Sequence, residues 1–156
     1  MLSDQAKAEI TKIRARYPHP RSALMPALSI AQKENGWLSP EAMSEVAEFL
    51  DVPPVEAAAV ASFYTMYRLK PTGTYLIQIC TNISCSLLGA EHLVEYISRK
   101  LGIKEGEITH DGKFTWIPVQ CLGSCGTAPM MQINDDYYEN LTEEKIDQIL
   151  SELASN

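Results

Sequence analysis

The sequence predicts an α+β protein in which a small helical bundle over residues 1–70 precedes an α/β domain with a small mixed sheet over residues 71–156. Three observations predict it. Apolar residues recur at helical spacing through the first half, and strand-like and helix-like segments alternate through the second. Between them, Lys70-Pro71-Thr72-Gly73 places Pro and Gly where the pattern changes. With 46% hydrophobic and 21% charged residues in 156, the chain holds enough apolar material for a real core.

Each helix of the first half has its own punctuation. Ala6, Ile10, Ile13 and Tyr17 give one stripe from Asp4 to about Arg16, and Tyr17-Pro18-His19-Pro20 ends it. Ser22 is the expected cap of a second helix, with Leu24, Leu28 and Ala31 inward and Asn35-Gly36 closing it. Ser39-Pro40 caps a third, in which Met43, Val46, Ala47 and Leu50 keep the i, i+3, i+4, i+7 pattern. A fourth runs from Pro54 to about Ser62. Phe63-Tyr64-Thr65-Met66-Tyr67 then reads as an aromatic segment packing the helices onto the second half of the chain.

In the second half Thr74–Cys80 is a strand apolar on both faces, as a strand covered on both sides should be. Ser86–Leu101 is an amphipathic helix closed by Gly102. Phe114–Gln120 is a second strand. Met130–Ile133 and Tyr137–Glu139 flank the turn Asn134-Asp135-Asp136, and Thr142 caps a last helix with Ile146, Ile149, Leu150 and Leu153 inward. Strand, helix, strand, strand, strand, helix is the order of a thioredoxin-like domain.

Charge and length exclude several functions. Twenty acids against thirteen bases give a net charge of -7, the wrong sign for neutralising phosphates, so nucleic acid is not an expected partner. The charge is also unevenly placed: residues 1–70 balance eight bases with eight acids, and the whole excess lies in residues 71–156. No run approaches the ~18 apolar residues of a membrane span, and the charged N-terminus does not read as a targeting signal. The expectation is a cytoplasmic protein without direct membrane insertion, whose thiols stay reduced.

All four cysteines lie in the acidic half. Cys80, Cys85, Cys121 and Cys125 give C-x4-C, 35 intervening residues, then C-x3-C. The first pair ends strand one and enters the loop beyond it; the second lies in the loop after strand two. If the two strands are adjacent and parallel, both pairs meet at one edge of the sheet. Two pairs suit a [2Fe-2S] cluster, whose two irons each need two thiolates. Gly89, Gly123 and Gly126 near the pairs let backbone approach sulfur, and a helix starting near Ser86 would aim free N–H groups at the site. Structural zinc is the alternative, usually with shorter knuckles. The C-x-x-C of a dithiol redox site is absent.

These residues also carry a family resemblance. Cys80-Thr81-Asn82-Ile83-Ser84-Cys85, Gly89-Ala90, and Val119-Gln120-Cys121-Leu122-Gly123-Ser124-Cys125 with Ala128-Pro129 resemble the small thioredoxin-like [2Fe-2S] subunit of respiratory complex I, NADH:quinone oxidoreductase, in its bacterial form. So do Gly36-Trp37-Leu38, Ala61-Ser62-Phe63-Tyr64, Gly112-Lys113-Phe114 and Ile133-Asn134-Asp135. The resemblance implies that Cys80, Cys85, Cys121 and Cys125 ligate the iron of one [2Fe-2S] cluster in a thioredoxin-like ferredoxin domain, residues 71–156. It implies a larger flavoprotein partner subunit that holds FMN, NADH and a further iron-sulfur cluster, alongside other peripheral-arm subunits. It places the protein at the cytoplasmic face of the inner membrane, exchanging single electrons with the partner's flavin. Subunits of the same type occur in NAD-linked hydrogenases and formate dehydrogenases. Pro129 follows the second cysteine loop, where thioredoxin-like folds often hold a cis proline.

With no G-x-G-x-x-G and no P-loop, hydride chemistry belongs to a partner, and no residue of this chain is expected to be catalytic. A structural zinc adaptor and a free ferredoxin remain as other readings. An electron added to the acidic half works against that half's own field, which favours a low potential. His19, His92 and His110 read as solvated side chains, and Asp135-Asp136 as a hairpin tip. Asn82-Ile83-Ser84 and Asn140-Leu141-Thr142 match glycosylation acceptors that a cytoplasmic chain would not use.

Overall fold

The computed structural model describes residues 2–155 and divides at Pro71/Thr72 into two compact units. The first is all helical: α1 (Asp4–Arg14), α2 (Leu24–Asn35), α3 (Pro40–Leu50) and α4 (Pro54–Phe63). Ser3 and Ser39 cap α1 and α3 by accepting from the N–H groups of Ala6 and Ala42, each at 3.1 Å. Ser22 does not cap α2. Pro20 instead starts a 3-10 turn, Pro20–Ala23, that runs straight into the helix without a side-chain cap. Gly36, at φ 79°, ends α2 in the left-handed conformation glycine allows.

Helix α2 packs against α1, α3 and α4, and Leu24, Ala27, Leu28 and Ala31 bury its stripe completely or nearly so. Ala47, Ala57 and Ala61 keep the facing surfaces small. Burying each Ile10, Leu24, Leu28 or Val46 side chain stabilises the bundle by about 1.5–3 kcal/mol. The aromatic segment that begins at the last residue of α4 divides: Tyr67 is in the core, its Oη donating to the Met25 carbonyl at 2.8 Å, while Phe63 stays 77% exposed with its ring edge-on to Tyr64. Gln32 straps this segment to α2, donating to Met66 O (3.0 Å) and accepting from Arg68 N (2.6 Å).

The second unit holds β1 (Tyr75–Cys80), α5 (Ile83–Leu87), α6 (Ala90–Leu101), β2 (Phe114–Val119), β3 (Met131–Ile133), β4 (Asp136–Tyr138) and α7 (Glu143–Ser155). The sheet order is β2-β1-β3-β4; β1 pairs parallel with β2, and the other pairings are antiparallel. This is the predicted mixed sheet. Strand β1 is central, and Leu76, Ile77, Ile79 and Cys80 are buried on both faces. Pro118 is tolerated because β2 is an edge strand, where a missing N–H leaves no gap in a central ladder. Thr142 Oγ1 accepts from Lys145 N at 3.3 Å and so caps α7 as expected.

One helix differs from its prediction. Ser86–Leu101 is not continuous, because Gly89 at φ 93° breaks it into α5 and α6. Asn82 starts α5 early, its side chain accepting from Ile83 N at 2.7 Å. Cys85 therefore sits inside a short helix rather than in a loop, and the helix after it opens at Ala90. Among the described residues no helix is long and apolar enough to cross a membrane.

Candidate metal centre

The parallel register sets the site. Cys80, last residue of β1, stands opposite Val119, last residue of β2, and Thr81 N donates to Val119 O at 3.0 Å. Both chain segments leave the sheet at one end, one carrying Cys80 and Cys85, the other Cys121 and Cys125. All four thiols are free. Cys80 and Cys85 are buried in a small cluster with Ala90 and Met130, against which Leu122 and Ala128 pack. Cys121 and Cys125 are exposed. The site thus has a dry side made by β1 and α5 and a wet side made by the loop after β2.

Polar hydrogens point at the sulfurs. Gly123 N donates to Cys121 Sγ at 3.3 Å, with Gly123 at φ 78°. Burial opposes a charge on Cys80, yet N–H groups of Asn82 and Leu122 and the thiols of Cys85 and Cys121 outweigh it and hold the Cys80 thiol below its ordinary value. Burial, together with the proton it shares with Cys80, pushes Cys85 up to about 11. The hydrogen bonds around Cys80 thus favour its charged form relative to a free thiol, and burial disfavours that of Cys85.

This donor set fits a [2Fe-2S] cluster: four reduced sulfurs, N–H donors to stabilise them, and partial exclusion of water. Cys80 lies within hydrogen-bond reach of both Cys85 and Cys121, so both cysteine pairs contribute to one site.

The histidines go elsewhere. His92 Nε2 lies 2.7 Å from Glu143 Oε1, tying α6 to α7; His19 precedes the 3-10 turn and His110 lies in the turn before β2. Of the hairpin residues, Asn134 takes the positive φ (53°), and Asp136 begins β4. The Ala128-Pro129 bond is cis. The residue pattern did not reveal the groups that hold the second cysteine loop. Tyr137 Oη donates to Leu122 O at 2.8 Å, and Glu139 accepts from Ser124 and from Thr127, the latter at 2.6 Å. Tyr137 lies on the edge strand β4 and Glu139 just past its end, two positions on, and that spacing was the available signal.

A model of the thioredoxin-like [2Fe-2S] ferredoxin family matches residues 10–154. The chain belongs to that family. It is 46% identical over 144 residues to an NADH-quinone oxidoreductase subunit of Rhizobium meliloti, covering 92% of this chain and 86% of that one. It is 47% identical to the corresponding subunit of Rickettsia bellii (87% and 82% covered) and 45% identical to NADH-quinone oxidoreductase subunit 2 of Thermus thermophilus (90% and 80%). In fold it is similar to a chain in the structure of a NAD+-reducing [NiFe]-hydrogenase in the H2-reduced state: TM-score 0.72, 24% identity, 83% of this chain but 22% of that one.

Proposed function

We propose that the protein is the electron-transfer subunit of an NADH-quinone oxidoreductase, with Cys80, Cys85, Cys121 and Cys125 holding one [2Fe-2S] cluster. The observation that carries the reading is the parallel β1/β2 register, which delivers both cysteine pairs to one end of the sheet. The family match and the names of its relatives support it. When bound, the cluster supplies a one-electron centre. The chain's own part is ligation, hydrogen bonding and control of water. Gly123 N steadies Cys121, the N–H groups of Asn82 and Leu122 favour charge on Cys80, and Met130 and Ala90 keep the β1 side dry.

Hydride chemistry falls to a partner: a flavoprotein subunit with FMN and NADH, in a peripheral arm at the cytoplasmic face of the membrane. Residues 1–70 form a helical domain and residues 71–156 the ferredoxin domain. Anaerobic purification tests the reading. The expected result is a coloured protein with iron and sulfide, bleached by dithionite, with an EPR signal in the reduced form and a flavoprotein co-purifying from its own cells. A colourless protein with one zinc per chain overturns it. A hydrogenase or formate dehydrogenase as the co-purifying partner would keep the centre and change the complex.

A further inference from the structure

The loop that carries Cys121 and Cys125 has little regular structure of its own. Gly123 and Gly126 flank the second cysteine, and neither a strand nor a helix longer than the single turn Cys125–Thr127 covers it. Glycine backbones carry more conformational freedom than any other, so a ligand set between two of them must be ordered from outside.

The edge strand β4 and the residue after it supply that order. Tyr137 is within β4, and Glu139 directly follows its last residue, Tyr138. Tyr137 Oη donates to Leu122 O at 2.8 Å, next to Cys121. The Glu139 carboxylate accepts from Ser124, the residue before Cys125, and from Thr127 Oγ1, two residues after it, at 2.6 Å. The two hydroxyls are 2.8 Å apart, and Thr127 Oγ1 also reaches Ser124 O at 3.2 Å. The strand end is itself fixed: Asn140 N donates to Thr127 O at 2.7 Å, and Lys145 Nζ to Glu139 O at 2.5 Å.

We propose that Glu139 is a positioning residue: its carboxylate grips the loop on both sides of Cys125, and its negative charge beside that loop lowers the reduction potential of the centre. The inference rests on the ligand assignment proposed above. Two hydroxyl donors to one carboxylate are charge-assisted hydrogen bonds, the stronger kind, and they favour the ionised form. The Ser124 and Thr127 hydroxyls accordingly hold the Glu139 carboxyl below the usual carboxylate range. The charge is therefore present at neutral pH, where it opposes an added electron. An amide could make the same contacts through its carbonyl oxygen without the charge, which separates the two effects.

The test uses the full chain, reconstituted anaerobically with iron and sulfide, in three variants: Glu139→Gln, Glu139→Ala, and Ser124→Ala with Thr127→Ala. Two quantities are read: the potential, by EPR-monitored titration, and the rate of bleaching under an iron chelator. Glu139→Gln is expected to bleach at the wild-type rate while the one-electron equilibrium shifts about tenfold toward the reduced form, about 59 mV upward. Glu139→Ala and the double variant are expected to bleach several-fold faster. Should Glu139→Ala not fold, Glu139→Gln and the double variant carry the test. Wild-type potential in Glu139→Gln together with wild-type bleaching in the double variant overturns the proposal and leaves the four-cysteine assignment standing. Wild-type iron content in Cys125→Ala overturns that assignment instead.

Discussion

Cys80 is the register partner of Val119 at the last rung of the parallel ladder, so Cys121 emerges two residues beyond the level at which Cys80 stands. The ladder, not the loops, therefore decides that the two cysteine pairs meet. Replacing one of the proposed ligands should leave the sheet and remove the centre. Cys121→Ser, on the exposed side, is expected to fold with an unchanged far-ultraviolet circular dichroism spectrum and to bind well under half of the ~2 irons per chain that a [2Fe-2S] cluster requires. Iron content equal to wild type would exclude Cys121 as a ligand.

The start of that ladder depends on a close approach. A Cβ on Gly73 would lie 2.7 Å from Lys113 O and from Phe114 N and C, and Gly73 N donates to the buried Thr115 Oγ1 at 2.8 Å. Backbone atoms on both sides cannot yield cheaply. Gly73→Ala should cost about 1–3 kcal/mol. The check is the midpoint of chemical unfolding, and an unchanged midpoint would mean that the strands can part here without loss.

Much of this was legible in the residues, because apolar period and spacing are set by burial. The stripe of α2, the two-sided apolar run of β1 and the cap at Ser39 are all consequences of one-dimensional pattern. The features that escaped were decided by single backbone choices. Gly89 read as a glycine near sulfur, yet its φ of 93° splits one helix into two and puts Cys85 on the shorter piece. Pro20 read as the end of α1, yet it also nucleates the turn that displaces Ser22 as a cap. Glu139 carried no motif at all. Its partners are 12 and 15 residues away, and only the fold of β4 onto the loop brings them together.

Helices α6 and α7 are joined by a polar pair that titrates at both ends of the pH range. Tyr96 Oη donates to Asp147 Oδ1 at 2.7 Å, and Lys100 Nζ lies 3.0 Å from the same oxygen. The Tyr96 hydrogen bond, then Lys100, hold the Asp147 carboxyl below its usual range; the same bond, then burial, push Tyr96 up to about 12. The lowered acid contributes stability that is present above the unfolded carboxyl value, near 3.8, and is lost as pH falls through the folded one. The raised phenol contributes stability present below 10.0 and lost as pH rises through about 12. Tyr96→Phe should flatten both limbs of the stability profile relative to wild type. Parallel profiles for the two proteins would show that the bond does not persist in solution.

The division at Pro71/Thr72 makes a separate prediction about the bundle. Leu28 is fully buried on α2, in the core shared by α1, α3 and α4. Leu28→Ala removes three carbons from a packed interior and should cost about 2–5 kcal/mol, because the lost transfer energy is joined by the cavity left behind. The cores around β1, α5 and the cysteine loops are built from other residues. In the full chain, the first unit should therefore unfold at lower denaturant while the visible absorption of the iron centre bleaches at the wild-type concentration. Two transitions that separate in this variant identify residues 1–70 and 71–156 as independently stable domains. A single transition, with absorption and helicity lost together and both shifted down, would mean that the centre's stability is drawn from the helical unit as well.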